Sequence, residues 1–119
     1  MPTTSFTQLD VWRKAHEVIV TIYRMTERFP RHQLFSLTAQ MQRASSSIPA
    51  NIAEGYGRRG PRAKANHYNI AAGSAEELRN YLLLSKELGY RTDDPALWKK
   101  LDEVCGMLRR LWARTLEGA

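Results

Sequence analysis

The segment QMQRASSSIPANIAEGYG, residues 40–57, carries an apolar stripe and a polar stripe at the spacing of a helix. Its apolar side chains recur every three or four residues and predict a core-facing stripe: Met41, Ala44, Ile48 and Ile52. Polar side chains recur with the same period on the neighbouring face: Arg43, Ser47, Asn51 and Glu54. Serine and asparagine are weak helix formers, so a merely solvated face has no need for them. The pattern therefore predicts a packed polar seam, an interface or a ligand site.

Two further features of this helix can be predicted from the sequence. Pro49 lies inside the pattern, where it removes a backbone donor and predicts a kink. The charged members of the polar seam need partners if they are partly buried, because an unpaired buried charge costs several kcal/mol. We expect Arg43, Asn51 and Glu54 to be hydrogen-bonded across helices or between subunits, with Glu76 or Glu77 as candidate partners.

Hydrophobic periodicity extends to the whole chain and predicts four helices. They run from about Gln8 to Thr26, Gln33 to Tyr56, Pro61 to Leu88, and from Pro95 towards the C-terminus. Thr7 is a plausible N-cap of the first helix, and Asp94 followed by Pro95 is a typical start for the fourth. No useful alternating strand pattern occurs. We expect an all-α, antiparallel up-down-up-down four-helix bundle.

Size and composition are consistent with one soluble domain over residues 1–119. The single Cys105 excludes an internal disulfide and any cysteine-based zinc site, and it fits a reducing cytoplasmic compartment. No secretory signal and no apolar run of about 18 residues is present, so no membrane association is expected. The net charge of +6 makes anionic partners plausible.

Two helices carry an additional apolar stripe with a seven-residue repeat. The six positions are Val11, Val18 and Met25 on the first helix, and Trp98, Cys105 and Trp112 on the fourth. These stripes either widen a core-facing surface or contact another subunit. The same repeat on two helices favours oligomerisation, since an exposed apolar patch of this extent is an aggregation liability.

Basic residues form two groups that suit nucleic acid, and all seven are candidate RNA-binding residues: Arg58, Arg59, Arg62, Lys64, Arg109, Arg110 and Arg114. Guanidinium groups pair with phosphates, and the nearby rings of Tyr56, His67 and Tyr68 could stack on unpaired bases. For the group at the end of the fourth helix, the alternative is a purely structural role, because cations there complement the helix dipole.

Catalytic and metal-binding patterns are missing from the sequence. His16, His32 and His67 lie on different segments without metal-ligand spacing, and no Glu-x-x-His motif occurs. The glycines around Gly57 are not followed by a Gly-Lys-Ser/Thr sequence, so they form no P-loop. We expect a non-enzymatic protein with no catalytic residues, metal or cofactor.

The run around SIPANIAEGYGR, residues 47–58, resembles the signature of a bacterial four-helix-bundle family first noticed in intervening sequences of 23S rRNA genes. Supporting matches are LDVWRKAH at residues 9–16, AAGSAEEL at 71–78 and LGY at 88–90. The resemblance covers about residues 6–116. It implies an antiparallel four-helix bundle and ring-shaped homopentamers. Distant relatives are accessory proteins of diversity-generating retroelements, in which a basic pentamer binds nucleic acid and a reverse transcriptase.

Two functions remain open from the sequence. The first is a ring-forming, RNA-binding or ribosome-associated accessory protein, whose binding should fall steeply with salt. The second is an oligomeric scaffold for a partner protein such as a reverse transcriptase, whose binding should be insensitive to salt.

Overall fold

The computed structural model describes residues 5–118 and consists of four long helices. They are α1, Asp10–Thr26; α2, Leu37–Gly57; α3, Pro61–Glu87; and α4, Pro95–Glu117. Short 3-10 turns precede α1 and α2, at Phe6–Gln8 and Arg31–Gln33. No strand occurs between residues 5 and 118, which confirms the all-α prediction.

The helices pack as a square in chain order. The backbones of α1 and α3 both lie close to those of α2 and α4, whereas no Cα atoms of the diagonal pairs come within 8 Å of each other among the described residues. Because each loop is short, successive helices run in opposite directions, which confirms the up-down-up-down topology. The bundle measures 46 × 25 × 21 Å. Its α2–α3 end holds the α2–α3 loop and the C-terminus of α4, and its α3–α4 end holds the other two loops.

Helix ends at α3 and α4 follow the predicted signals. Asp94 accepts a hydrogen bond from the backbone N–H of Leu97 at 3.1 Å, and Pro95 occupies the first helical position. Pro61 likewise opens α3. Gly89 ends that helix with a φ of +79°, a conformation that side chains disfavour.

Helices α1 and α2 begin later than the sequence predicts. The prediction of Thr7 as N-cap is wrong: Thr7 lies in the 3-10 turn, where its own N–H donates to the Ser5 hydroxyl. The residues before α2 also form a 3-10 turn, so that the Gln33 side chain accepts from the N–H of Leu37 at 3.4 Å. Helix α2 runs uninterrupted through the buried Pro49.

The core is one cluster to which all four helices contribute. Residues that are completely enclosed include Ile22, Met41, Ile48, Ile52, Leu78, Leu82, Leu101 and Leu108. Since every helix touches two neighbours, each needs an apolar face wider than a single heptad stripe.

This geometry corrects half of the predicted oligomer interface. Val11, Val18 and Cys105 are at most 6% exposed and belong to the core of the bundle itself, so the hypothesis that they contact another subunit is wrong. Met25 and Trp98 are partly buried against the same core. Trp98 is additionally covered by the Arg79 guanidinium, 5.4 Å from its ring. Of the six predicted interface residues, only Trp112 is exposed, with 42% of its surface accessible.

Candidate nucleic-acid interface and polar seam

The topology brings the two basic groups together at the α2–α3 end. Arg58 and Arg59 lie where α2 ends and the loop begins, Arg62 lies in the first turn of α3, and Arg109 to Arg114 lie in the last turns of α4. About fifty residues separate the two groups in the sequence. They share one end of the bundle because α4 runs antiparallel to α3 and so ends beside the start of α3.

Charge is distributed very unevenly along the bundle. The half towards the α2–α3 end, residues 5–18, 47–74 and 106–118, has nine cations: Arg13, Lys14, Arg58, Arg59, Arg62, Lys64, Arg109, Arg110 and Arg114. The same half has four acids: Asp10, Glu17, Glu54 and Glu117. The other half has nine cations and eight acids. The excess charge of +6 therefore lies almost entirely at one end.

Most of the candidate cations are available to a ligand. Five are exposed or nearly so and have no side-chain hydrogen bond or ion pair among residues 5–118: Arg59, Arg62, Arg109, Arg110 and Arg114. Arg58 is exposed but pairs with Glu54 one turn earlier, with 2.9 Å between Nη2 and Oε2. Such an exposed pair is weak and can be exchanged for a phosphate.

Lys64 has a structural role that the sequence does not reveal. Its Nζ donates to the backbone carbonyls of Tyr56 at 2.7 Å and Gly55 at 3.3 Å. The ammonium thereby adds hydrogen bonds to carbonyls of the last turn of α2, of which Gly55 also accepts from the Arg58 N–H, and it complements the negative end of the helix dipole. We therefore remove Lys64 from the group of freely available cations.

One of the three aromatic residues is unavailable for stacking. Tyr68 is 4% exposed, and burial raises the pKa of its hydroxyl. Its ring faces Gly55, where a Cβ atom would lie 2.6 Å from the Tyr68 Cε1. Tyr68 is thus part of the α2–α3 packing. Tyr56 and His67 are partly buried beside it.

The polar seam exists between α2 and α3, but with different members. Asn51 donates to the Ser47 carbonyl at 2.9 Å and to its hydroxyl at 3.0 Å, and its Oδ1 lies 3.0 Å from the His67 Nδ1. Ser74 donates to the Ser47 hydroxyl at 2.7 Å. With the Asn51 oxygen as acceptor, Nδ1 of His67 must carry the hydrogen. Glu54 stands at the exposed rim, 4.0 Å from His67 Nε2.

Three predicted members of the seam lie elsewhere. Arg43 is exposed, so it is not part of the seam between α2 and α3, and its pairing between subunits stays a prediction. Glu76 faces α4, where it accepts a hydrogen bond from the Cys105 thiol at 3.5 Å. It also lies 3.8 Å from Arg79, one turn along α3. Glu77 accepts from the Tyr81 hydroxyl at 3.1 Å. Within one chain, therefore, neither glutamate pairs with the seam.

Sequence reasoning missed His67 and Ser74 as members of the seam. They lie seven residues apart on α3, the spacing of two helical turns, which is the signal that could have found them. That spacing predicts that they share a face. It cannot tell that the face meets Ser47 and Asn51, because this depends on how α2 and α3 are aligned.

No arrangement for metal binding was found in the described part of the chain, where no three His, Cys, Asp or Glu side chains are grouped suitably. Among the same residues, no helix is long and apolar enough to cross a membrane.

Comparison with known proteins identifies the family. The model of the 23S rRNA-intervening sequence protein family matches residues 7–110. The chain belongs to this family. The family resemblance seen in the sequence is thereby confirmed.

A solved structure has the same fold. It is a protein of unknown function from the S23 ribosomal protein family of Bacteroides thetaiotaomicron, with a TM-score of 0.79 and 25% identity. The match covers 87% of this chain and 95% of the relative. No curated protein matches this chain.

Proposed function

We propose that this protein is a non-enzymatic accessory protein that binds RNA through its α2–α3 end. The observation that supports the proposal is the convergence of two separate basic groups at that end. Phosphates are the partners that exposed, unpaired guanidinium groups suit best, because each presents a fork of donors that matches two phosphate oxygens. Contacts of this kind position a nucleic acid without reading its sequence.

The shape of the α2–α3 end suits structured or single-stranded RNA that approaches the end of the bundle. The candidate cations belong to a loop and to helix termini, and long arginine side chains on such elements adapt to an irregular phosphate backbone. Tyr56 and His67 adjoin these cations, and an unpaired base could stack on either ring. We expect weak sequence specificity and strong salt dependence.

Ring formation is the second part of the proposal. We infer that five copies associate, with their α2–α3 ends on one side, so that the basic surface is repeated and binding gains from multivalency. Exposed large apolar side chains on the helices support an interface between copies: Val20, Tyr23, Ile70, Leu83, Leu84, Leu88 and Trp112. Light scattering should give about five times the chain mass of 13.7 kDa. A mass of one chain at micromolar concentration contradicts the ring.

A matched pair of triple variants tests RNA binding. The first replaces Arg59, Arg62 and Arg109 by Ala, and leaves Lys64 in place because it caps α2. We expect RNA affinity to fall at least about tenfold, and the slope of log K against log salt to decrease by about 2 to 3. Filter binding to a structured RNA at several salt concentrations measures both quantities.

The control replaces three exposed cations of the opposite half, Arg31, Arg43 and Lys99, by Ala. The control removes the same number of charges. If RNA affinity depended only on the net charge of the protein, both variants would therefore lose affinity equally. We expect the control to bind almost as the parent does. Equal weakening of both variants, or no RNA retention by the parent at low salt, contradicts the proposal.

The alternative function is an oligomeric scaffold for a partner protein such as a reverse transcriptase. One observation favours it: Phe35, between the first two helices, is 94% exposed and follows the half-exposed Leu34. An aromatic side chain in this position is a suitable anchor for a protein interface. Retention of a partner protein that persists at high salt would support this alternative, whereas salt-sensitive retention of RNA supports the first function.

A further inference from the structure

A large pocket lies at the α3–α4 end, opposite the basic end. Its volume is about 590 Å³, and it lies between the last turns of α1 and the loop that joins α3 to α4. Thr21, Arg24, Met25 and Arg28 line one side, and Tyr90 to Asp94 line the other. Pockets of about 300 to 1,000 Å³ accommodate small-molecule ligands.

Three arginines line this pocket, together with two carboxylates. Arg24 lies in the last turn of α1 and Arg28 lies just beyond the end of that helix. Both are exposed and have no side-chain hydrogen bond or ion pair among residues 5–118. Arg91 is held from the other side by neutral acceptors only: its Nε donates to the Leu82 carbonyl at 3.0 Å and to the Ser85 hydroxyl at 3.1 Å. Three like charges around one concave surface attract an anion.

The two acids of the pocket are already engaged. Asp93 pairs with the Lys86 ammonium at 2.5 Å, and the hydrogen bond of this pair lowers the pKa of the Asp93 carboxyl. Asp94 caps α4 through the N–H of Leu97. Neither carboxylate makes a hydrogen bond or an ion pair with the pocket arginines, although both attract the Arg91 guanidinium at longer range. The lining has three arginines against two carboxylates, so its net charge is positive.

The burial of Arg91 independently supports anion binding, because burying a charged guanidinium costs free energy. Burial lowers the pKa of its guanidinium, which means that the charged form is poorly solvated where it lies. Its fixed orientation, held by three protein oxygens including the Thr92 carbonyl at 2.9 Å, presents a preorganised donor group. An anion beside it would restore the solvation that burial removes.

We propose that this pocket binds the phosphate groups of a small phosphorylated molecule of nucleotide size. Arg24, Arg28 and Arg91 hold the phosphates, the hydroxyls of Thr21 and Thr92 offer further donors, and Met25 with Tyr90 forms an apolar wall for the rest of the ligand. The site is separate from the RNA-binding end and does not depend on it.

Calorimetric titration with three probes tests the site: ADP, inorganic pyrophosphate and adenosine. We expect ADP and pyrophosphate to bind and adenosine to bind much more weakly, because phosphate recognition dominates. In the double variant Arg24→Gln and Arg28→Gln, affinity for ADP should fall at least about tenfold, since each charge-assisted hydrogen bond contributes roughly that factor. Arg91 is retained, because its bonds to Leu82 and Ser85 also hold the loop.

The matched control is Arg31→Gln with Arg43→Gln, two exposed arginines that do not line the pocket. It should bind ADP as the parent does. Absence of binding by the parent, equal loss in both variants, or adenosine binding as tightly as ADP overturns the proposal. A double variant that dissociates the oligomer, with no ADP binding by the parent, would instead make the pocket a subunit contact. RNA binding should persist in the Arg24, Arg28 variant, so the two proposals fail separately.

Discussion

Val18→Asp is expected to prevent folding of the bundle. Val18 is completely buried between α1 and its neighbours, so the substitution places an unpaired carboxylate in the core. We expect a loss of more than about 4 kcal/mol of the free energy of unfolding, which is a large part of the total for a domain of this size. Circular dichroism and urea denaturation of the purified variant measure the effect.

Val20→Asp is the matched control two residues along the same helix. Val20 is 36% exposed, so an aspartate carboxylate at this position remains solvated. The free energy of unfolding should change by less than about 0.5 kcal/mol. If the exposed apolar side chains join copies of the chain, this variant loses oligomers while it keeps its helicity. A folded Val18→Asp protein that merely dissociates would show that Val18 lies between subunits and contradict the core assignment.

Gly55→Ala should lower the free energy of unfolding by about 2 kcal/mol, although alanine favours helices. An added Cβ would lie 2.6 Å and 2.9 Å from two carbons of the Tyr68 ring and 3.1 Å from the Lys64 carbonyl oxygen. The ring is buried, and the carbonyl belongs to the backbone of α3, so neither can move away cheaply. Thermal or urea denaturation gives the difference directly.

Gly57→Ala serves as the comparison within the same helix. A Cβ at Gly57 meets nothing within 4 Å, and we expect stability that is unchanged or raised by up to about 1 kcal/mol. Equal effects at the two glycines would mean that the close approach of α2 to α3 at Gly55 is absent in solution.

Local signals explain why most of the fold could be predicted from the sequence. Pro61, Gly89 and the Asp94–Pro95 pair act within one or two residues of a helix end, so their meaning does not depend on the rest of the molecule. The start of α1 could not be located in the same way. The side chain of Thr7 suits a cap, but Thr7 lies in a 3-10 turn that was not predicted, and α1 begins after Leu9, whose side chain makes no capping hydrogen bond.

Tertiary packing decided what the sequence could not. Val11 and Val18 show the seven-residue repeat of an interface helix, but the same repeat arises when a helix is packed between two neighbours in one bundle. Likewise, Glu76 and Glu77 are adjacent in sequence, yet the rotation of α3 directs Glu76 towards α4. Periodicity predicts which residues share a face, but it does not predict which helix meets that face.

The candidate RNA-binding site also depends on tertiary packing that the sequence does not reveal. The sequence shows the two basic groups. Their position at the same end of the bundle follows from the order and direction of the helices. The sequence predicts Lys64 as a ligand-binding cation, because a sequence shows charge and not the acceptors that surround it. Its two bonds to the carbonyls of α2 could be found only from the structure.

The 46 Å length of the bundle, combined with its one-sided charge, means that its two ends are electrostatically independent. At physiological ionic strength, interactions between exposed charges are screened within about 8 Å. A polyanion beside the α2–α3 end therefore senses that end and not the nearly neutral remainder. On approach, the molecule should rotate to present this end before any contact forms, so added salt should slow association more than it hastens release.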